Sequence, residues 1–292
     1  MVRSEPCRRH SARGIDRHAD ERARRARVPL QSGGGGYRRG VQRRAAGRFA
    51  HRHVRRRVGP RRVSQAPVAI ELRGHMGCGS NCCGTADFFG ERIARRNLRK
   101  YRRGGPYGTT KRLLAALREA PGPKDTLLDV GGGVGVIAHE LLAAGTSHAV
   151  IVDASPAFLA AAEEESERRL TSERLRLQLG DAVELRDDVP AADVVTLDKV
   201  VCCYVDMESL LAITASRARR LMALAYPRDD WWVRAMVAVG NRVLQLRGSA
   251  FRSYVHRNAA IEQALRRAGL TPRTIRRGPL WIVALFERPA TA

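Results

Sequence analysis

A chain of 292 residues holds one large domain or two small ones, and is far too long to need disulfide staples. Its formal charge is +24, from 53 Lys+Arg against 29 Asp+Glu. Residues 1–75 alone hold 21 Arg and 5 acids, or +16, so the basic excess is concentrated in the first quarter and does not by itself argue for nucleic-acid binding. No stretch reaches the roughly 18 apolar residues of a membrane span, and no signal peptide is evident, so the expected location is the cytoplasm, where the six cysteines stay reduced.

Residues 1–75 carry a four-glycine run, Gly33–Gly36, arginine clusters such as Arg55-Arg56-Arg57, and almost no apolar periodicity. Such a segment buries too little apolar surface to offset chain entropy, so it is expected to be unstructured. The whole chain has 49 Arg against 4 Lys, the bias of a GC-rich genome. The preferred expectation is a mis-called start or dispensable extension. The alternatives are a basic arm, through which alone nucleic acid would be a partner, and a targeting peptide. Residues 76–125 are expected to form lid and substrate helices, and residues 126–292 the catalytic core.

Phe88–Arg103 predicts a basic amphipathic helix stopped by Gly104-Gly105-Pro106, and Thr109–Ala120 a second stopped by Pro121-Gly122-Pro123. Strands and helices then alternate. Strands are expected at Thr126–Val130, His148–Val152, Arg174–Leu179, Asp193–Leu197 and Arg220–Tyr226. Helices are expected at Val134–Ala144, Pro156–Arg169, Met207–Arg217, Asp229–Leu246 and Asn258–Ala268. Pro272–Arg277 and Leu280–Glu287 read as a closing hairpin. Trp231–Leu246, interrupted by Arg234, Asn241 and Arg242, reads as a core-facing helix or at most an interfacial one. This alternation implies an α/β fold, a parallel doubly wound sheet with helices on both faces and one antiparallel strand.

The densest motif is Thr126–Ile137, T-L-L-D-V-G-G-G-V-G-V-I, where an apolar run ends in an acid and a glycine-rich turn. The dinucleotide fingerprint G-x-G-x-x-G fails here, since its third glycine would fall on Val136. Asp129-x-Gly131-x-Gly133-x-Gly135 instead resembles class I methyltransferases that bind S-adenosylmethionine, over about residues 84–288. The resemblance implies a seven-stranded Rossmann-like sheet with the cofactor beyond the strand ends. It assigns Asp129, Gly131, Gly133 and Gly135 to the methionyl part. Asp153, followed by Ala154 and Ser155, would take the ribose hydroxyls. Asp181 and Ala182 would meet the adenine, and Asp198 and Lys199 would floor the site near the reacting methyl.

Phe88-Phe89-Gly90, Tyr101-Arg102-Arg103-Gly104, Val200-Val201-Cys202-Cys203-Tyr204 and Tyr254-Val255-His256 are similar to a bacterial group described beside magnesium-protoporphyrin O-methyltransferases. That implies a small or medium organic acceptor with an O, N or C nucleophile. Tyr101, Lys199 and Tyr204 are the candidate acceptor residues. His256 is the candidate general base, against a packing histidine before Asn258. Arg92, Arg95, Arg96, Arg99 and Arg102 read as a solvated face, or as an attractor of an anionic acceptor. Cys78, Cys82 and Cys83, with Cys202 and Cys203, match no trusted zinc spacing, so no metal is assigned. Two rival functions are a nucleic-acid methyltransferase using the basic arm and a non-catalytic binder of S-adenosylmethionine. The first lacks the N-P-P-Y-type element that holds a flipped base, since strand four runs into L-D-K-V-V-C-C-Y.

Overall fold

The computed structural model describes residues 70–71 and 84–289. The elements are β1 Ile70–Glu71, α1 Thr85–Phe88, α2 Glu91–Gly104, α3 Gly108–Glu119, β2 Thr126–Val130, α4 Val136–Ala143, β3 His148–Asp153, α5 Pro156–Arg168, β4 Leu175–Leu179, α6 Ala182–Leu185, β5 Ala192–Asp198, α7 Met207–Arg217, β6 Ala218–Pro227, α8 Trp231–Leu246, α9 Asn258–Arg267, β7 Thr271–Arg277 and β8 Trp281–Glu287. The sheet order is β1-β4-β3-β2-β5-β6-β8-β7, parallel except for β8. Seven of these strands are the expected ones. The eighth, β1, is a two-residue strand beside β4. Ile70 and Glu71 therefore belong to the sheet, not to the unstructured extension expected over residues 1–75. The remainder of that extension lies outside the described residues.

Neighbouring residues of each central strand bury on opposite faces, as the pleat requires. Leu128, Val195, Leu197, Met222 and Leu224 meet α7 and α9 through Leu210, Leu211, Ile261 and Leu265. Leu127, Val194, Leu221 and Ala223 meet α3, α4 and α5 through Leu113, Leu117, Leu141 and Leu159. Both faces are buried, so the strands read as apolar runs.

The predicted helix over Phe88–Arg103 is two pieces. Gly90 is extended (φ −73°, ψ −177°) and starts α2. The break turns Phe88 and Phe89 onto Phe251 and Phe158: Phe88 stacks on Phe251 at 4.4 Å, and Phe89 lies 5.7 Å from Phe158. Burial of four aromatic rings overrides helix continuity here. α2 then packs Ala94 and Leu98 against Phe158 and Ala161 of α5. It is clamped there by Arg102, which donates to Glu164 and Glu165 at 2.8 Å each. Glu165 is fully buried and also accepts from Arg168 and Arg169. Burial alone would raise its carboxyl, but the hydrogen bonds from Arg168, Arg169 and Arg102 hold it well below the carboxylate range. Arg102 is thus an anchor, and Arg92, Arg95, Arg96 and Arg99 form the exposed face.

The chain runs β2, β3, β4 outward in one direction, then returns to β5 on the other side of β2. That reversal opens a crevice at the carboxyl ends of β2 and β5, the general ligand position of doubly wound sheets.

Candidate active site

A cleft of about 470 Å³ occupies that position. Its floor is the turn after β2, with Asp129 and Gly131 to Gly133, joined by Asp153 and Ala154 after β3, Gly180 and Ala182 after β4, and Asp198 and Lys199 after β5. Phe88, Phe89, Phe158 and Phe251 form an aromatic wall, and Leu244 and Trp281 line it further out.

Each strand end is extended by one main-chain bond. Gly131 N–H donates to Val152 O at 2.7 Å, Gly180 N–H to Asp153 O at 3.1 Å and Lys199 N–H to Ala225 O at 2.9 Å. These bonds aim the loops that follow. Gly131 has φ +62°, and a Cβ there would sit 2.5 Å from Val200 Cγ2. A Cβ on Gly132 would meet Asp129 Oδ2 at 2.7 Å. The turn is therefore a cradle of bare backbone that side chains would fill.

Asp129 is fully buried. Its Oδ1 accepts from Thr196 Oγ1 at 2.6 Å, while Oδ2 has no hydrogen-bond partner. Burial pushes this carboxyl up to about 7, against the Thr196 hydrogen bond and aided by the charges of Asp198 and Asp153. Asp153 accepts from Gly133 N–H at 2.9 Å through Oδ2 and from Ser155 N–H at 2.8 Å through Oδ1. Burial lifts it to about 6, the two backbone hydrogen bonds acting the other way. A carboxylate has about four lone-pair sites, so two such bonds leave capacity toward the cleft. Asp198 accepts from Thr109 at 3.1 Å, from Thr110 and from Lys199 Nζ at 3.1 Å, which pins the start of α3 over β5. Lys199 is a non-glycine residue at φ +66°. Such strained backbone clusters at functional sites.

Several expected site residues are placed differently. Tyr101 is buried at 2% exposure, stacks on His139 and donates to Glu140 at 2.9 Å, so it is a packing residue of α2, not an acceptor contact. Ser155 is 1% exposed; its hydroxyl caps α5 at Phe158 N–H and donates to Phe89 O at 2.7 Å, leaving none of it for a cofactor. Gly135 lies behind the cleft, where a Cβ would strike His139 Nε2 at 2.8 Å. His256 Nε2 donates to Tyr204 O at 2.8 Å and the residue does not line the cleft, which corrects its assignment as a base. It clasps the segment after α8 to the β5 loop. Asp181 caps α6 at Val183 N–H and accepts from Tyr204 Oη at 2.6 Å. Tyr204 lines the cleft with its hydroxyl turned to Asp181. Phe88 and Phe89 entered the sequence reading only through the family resemblance, and Phe158, Phe251, Asn97 and Trp281 carried no signal, because they converge from α5, the loop after α8, α2 and β8.

The thiols of Cys202 and Cys203 both approach Lys199 O, at 3.3 and 3.6 Å, and both residues line the cleft. Among the described residues, no group of three His, Cys, Asp or Glu side chains is placed to hold a metal. Cys78, Cys82 and Cys83 lie outside the described residues.

The sheet order, the glycine turn and the acids at three strand ends are those of the class I methyltransferase fold. Residues 128–222 match the family described as a methyltransferase domain. Solved structures of the same fold include magnesium protoporphyrin IX methyltransferase from Synechocystis PCC 6803. With bound S-adenosylhomocysteine it is 19% identical, with a TM-score of 0.53 over 70% of this chain and 98% of that one. With bound S-adenosylmethionine it is 18% identical, with a TM-score of 0.52 over 74% and 100%. An O-methyltransferase family protein from Burkholderia thailandensis is 16% identical, with a TM-score of 0.54 over 67% and 58%. No curated protein matches the chain in sequence. Among the described residues no helix is long and apolar enough to cross a membrane.

Proposed function

We propose that this chain methylates a small or medium organic acceptor with an apolar, ring-bearing face, as O-, N- or C-methyl transfer. The observation that carries this reading is the single cleft that joins the bare glycine turn to the wall of Phe88, Phe89 and Phe251. In this reading Asp153 accepts from the ribose hydroxyls with the lone pairs that Gly133 and Ser155 leave. The unpartnered Asp129 Oδ2 receives the cofactor's ammonium group. A buried acceptor without a partner costs about 1–3 kcal/mol, and a bound cation removes that cost. Ala154, Gly180 and Ala182 border the adenine position. Asp181 contributes by fixing Tyr204 as well as through the base edge.

The cofactor, when bound, supplies a methyl group already electrophilic on sulfonium. The protein has then to align the acceptor in line with it and exclude water. The four-ring wall and the α3 start pinned by Asp198 serve that purpose. Tetrapyrroles and phenols come first among acceptors to try, the tetrapyrroles supported by the fold shared with a magnesium protoporphyrin IX methyltransferase.

Calorimetric titration of the full chain tests the donor site: S-adenosylmethionine is expected to bind at micromolar concentration and NAD not at all. Binding of NAD alone would sink the reading.

The pH dependence gives a second expected result. The folded Asp129 carboxyl, at about 7, binds a proton more tightly than its unfolded form at 3.8. The cofactor-free protein therefore loses stability as pH rises from about 4 through 7. The cofactor's ammonium favours the ionised form, so its binding releases a proton below pH 7, and affinity rises up to about tenfold per pH unit there. Calorimetry in buffers of different ionisation enthalpy reads the proton count directly. No proton release at pH 6 would remove Asp129 from the ammonium site.

A further inference from the structure

The outward face of α8 is apolar. Trp232, Met236, Val239, Val243 and Leu246 recur at four- and three-residue steps, so they form one stripe about 21 Å long, with Trp231 beside it. Trp231 is 80% exposed, Val239 65% and Leu246 74%. Val233 is the only buried residue of the helix. A stripe of this kind on a soluble surface marks an interaction site.

Charge decides what covers it. From Trp231 to Arg257 the chain has five arginines, Arg234, Arg242, Arg247, Arg252 and Arg257, and no acid. Arg234, Arg242 and Arg252 hydrogen-bond to neutral oxygens, so their charge is not cancelled there. The spacing would suit a second copy, but an isologous pairing would bring two acid-free, five-arginine segments together. The arginine-rich N-terminal quarter of the chain is an equally poor cover. An anionic bilayer surface is complementary to both features: it takes the apolar stripe into the acyl boundary and the arginines at the headgroups. We infer that α8 is an interfacial helix that docks this enzyme on anionic lipid. The helix also forms part of the cleft through Leu244, and Phe251 of the segment after it lines the same cleft. The docked face thus adjoins the cleft, and an apolar acceptor would pass from lipid to the site without crossing bulk water. The docking itself does not depend on the acceptor proposed above.

Flotation of the full chain with vesicles tests this, using equal parts phosphatidylglycerol and phosphatidylcholine, or phosphatidylcholine alone. The basic residues 1–75 add their own attraction to anionic vesicles, so the variant V239D/V243D is compared with the unaltered chain, both carrying that segment. Both positions are exposed, and circular dichroism checks that the variant folds. The expected result is a blue shift of tryptophan emission on the anionic vesicles that W231F/W232F removes. V239D/V243D is expected to lower the bound fraction on the order of tenfold. Equal binding by the variant, or no emission shift, would overturn the inference. So would a concentration-dependent dimer in solution that V239D/V243D dissolves, since it would assign the stripe to a second copy.

Discussion

Asp153→Ala is expected to weaken S-adenosylmethionine binding on the order of a hundredfold and to lower stability by about 1–3 kcal/mol. Two separate losses add. The N–H groups of Gly133 and Ser155 lose the carboxylate that holds them at 2.9 and 2.8 Å, so the glycine turn and the start of α5 are both released. The ribose hydroxyls lose a charged acceptor, worth about 1.5–3 kcal/mol per hydrogen bond. The two effects separate in a double-mutant cycle. S-Adenosylhomocysteine and its 2′-deoxy analogue are titrated into the unaltered protein and the variant. The unaltered protein is expected to prefer the ribose form by about tenfold, and Asp153→Ala to bind both alike. Equal discrimination by both proteins would move the ribose contact elsewhere and leave Asp153 as a loop brace only. Chemical denaturation measures the stability loss independently of any ligand.

Gly131→Ala is the second large effect. The residue sits at φ +62°, where an alanine costs about 1–2 kcal/mol, and its Cβ would lie 2.5 Å from Val200 Cγ2. Forcing a methyl into that space costs a further 1–3 kcal/mol or so. Val200 belongs to the β5 loop that carries Lys199 at φ +66°, so it has little freedom to retreat. The expected outcome is a stability loss of about 2–5 kcal/mol and no measurable cofactor binding at millimolar ligand. Adding Val200→Ala removes the clash but not the dihedral cost, so the double variant should regain part of the stability. A Gly131→Ala protein with unaltered affinity would mean that the turn is not packed against its ligand.

Much of this architecture was legible because it is local. Thr126–Val130 and Met207–Arg217 appear at their expected bounds, and most other elements fall within two residues of them. Apolar runs ended by Gly, Pro or an acid encode strand and helix limits in neighbouring residues. The glycine turn and the aspartates at the strand ends were equally visible, since strand order puts every strand end on one edge.

Side-chain direction was not legible. Tyr101 and His256 carry the right chemistry for an acceptor site. Yet Tyr101 turns onto His139 and Glu140 of α4, and His256 is spent on Tyr204 O. Ser155 follows Asp153 closely, but its helix-cap geometry commits the hydroxyl to Phe158 and Phe89. Residues 88–103 carry helical periodicity throughout, and only the packing of four phenylalanines accounts for the break at Gly90. Pairings such as Asp198 with Thr109 and Thr110, 88 to 89 residues apart, leave no trace along the chain.

The sequence by itself determined the α/β alternation, the glycine turn and the aspartates at the strand ends, because periodicity, capping and turn chemistry act between neighbours in the chain. Only the tertiary structure decided which polar groups face the cleft, that Asp129 keeps a buried oxygen unpaired, and that α8 turns its apolar stripe outward. Those outcomes depend on which distant surfaces meet, and burial and hydrogen-bond pairing are settled there.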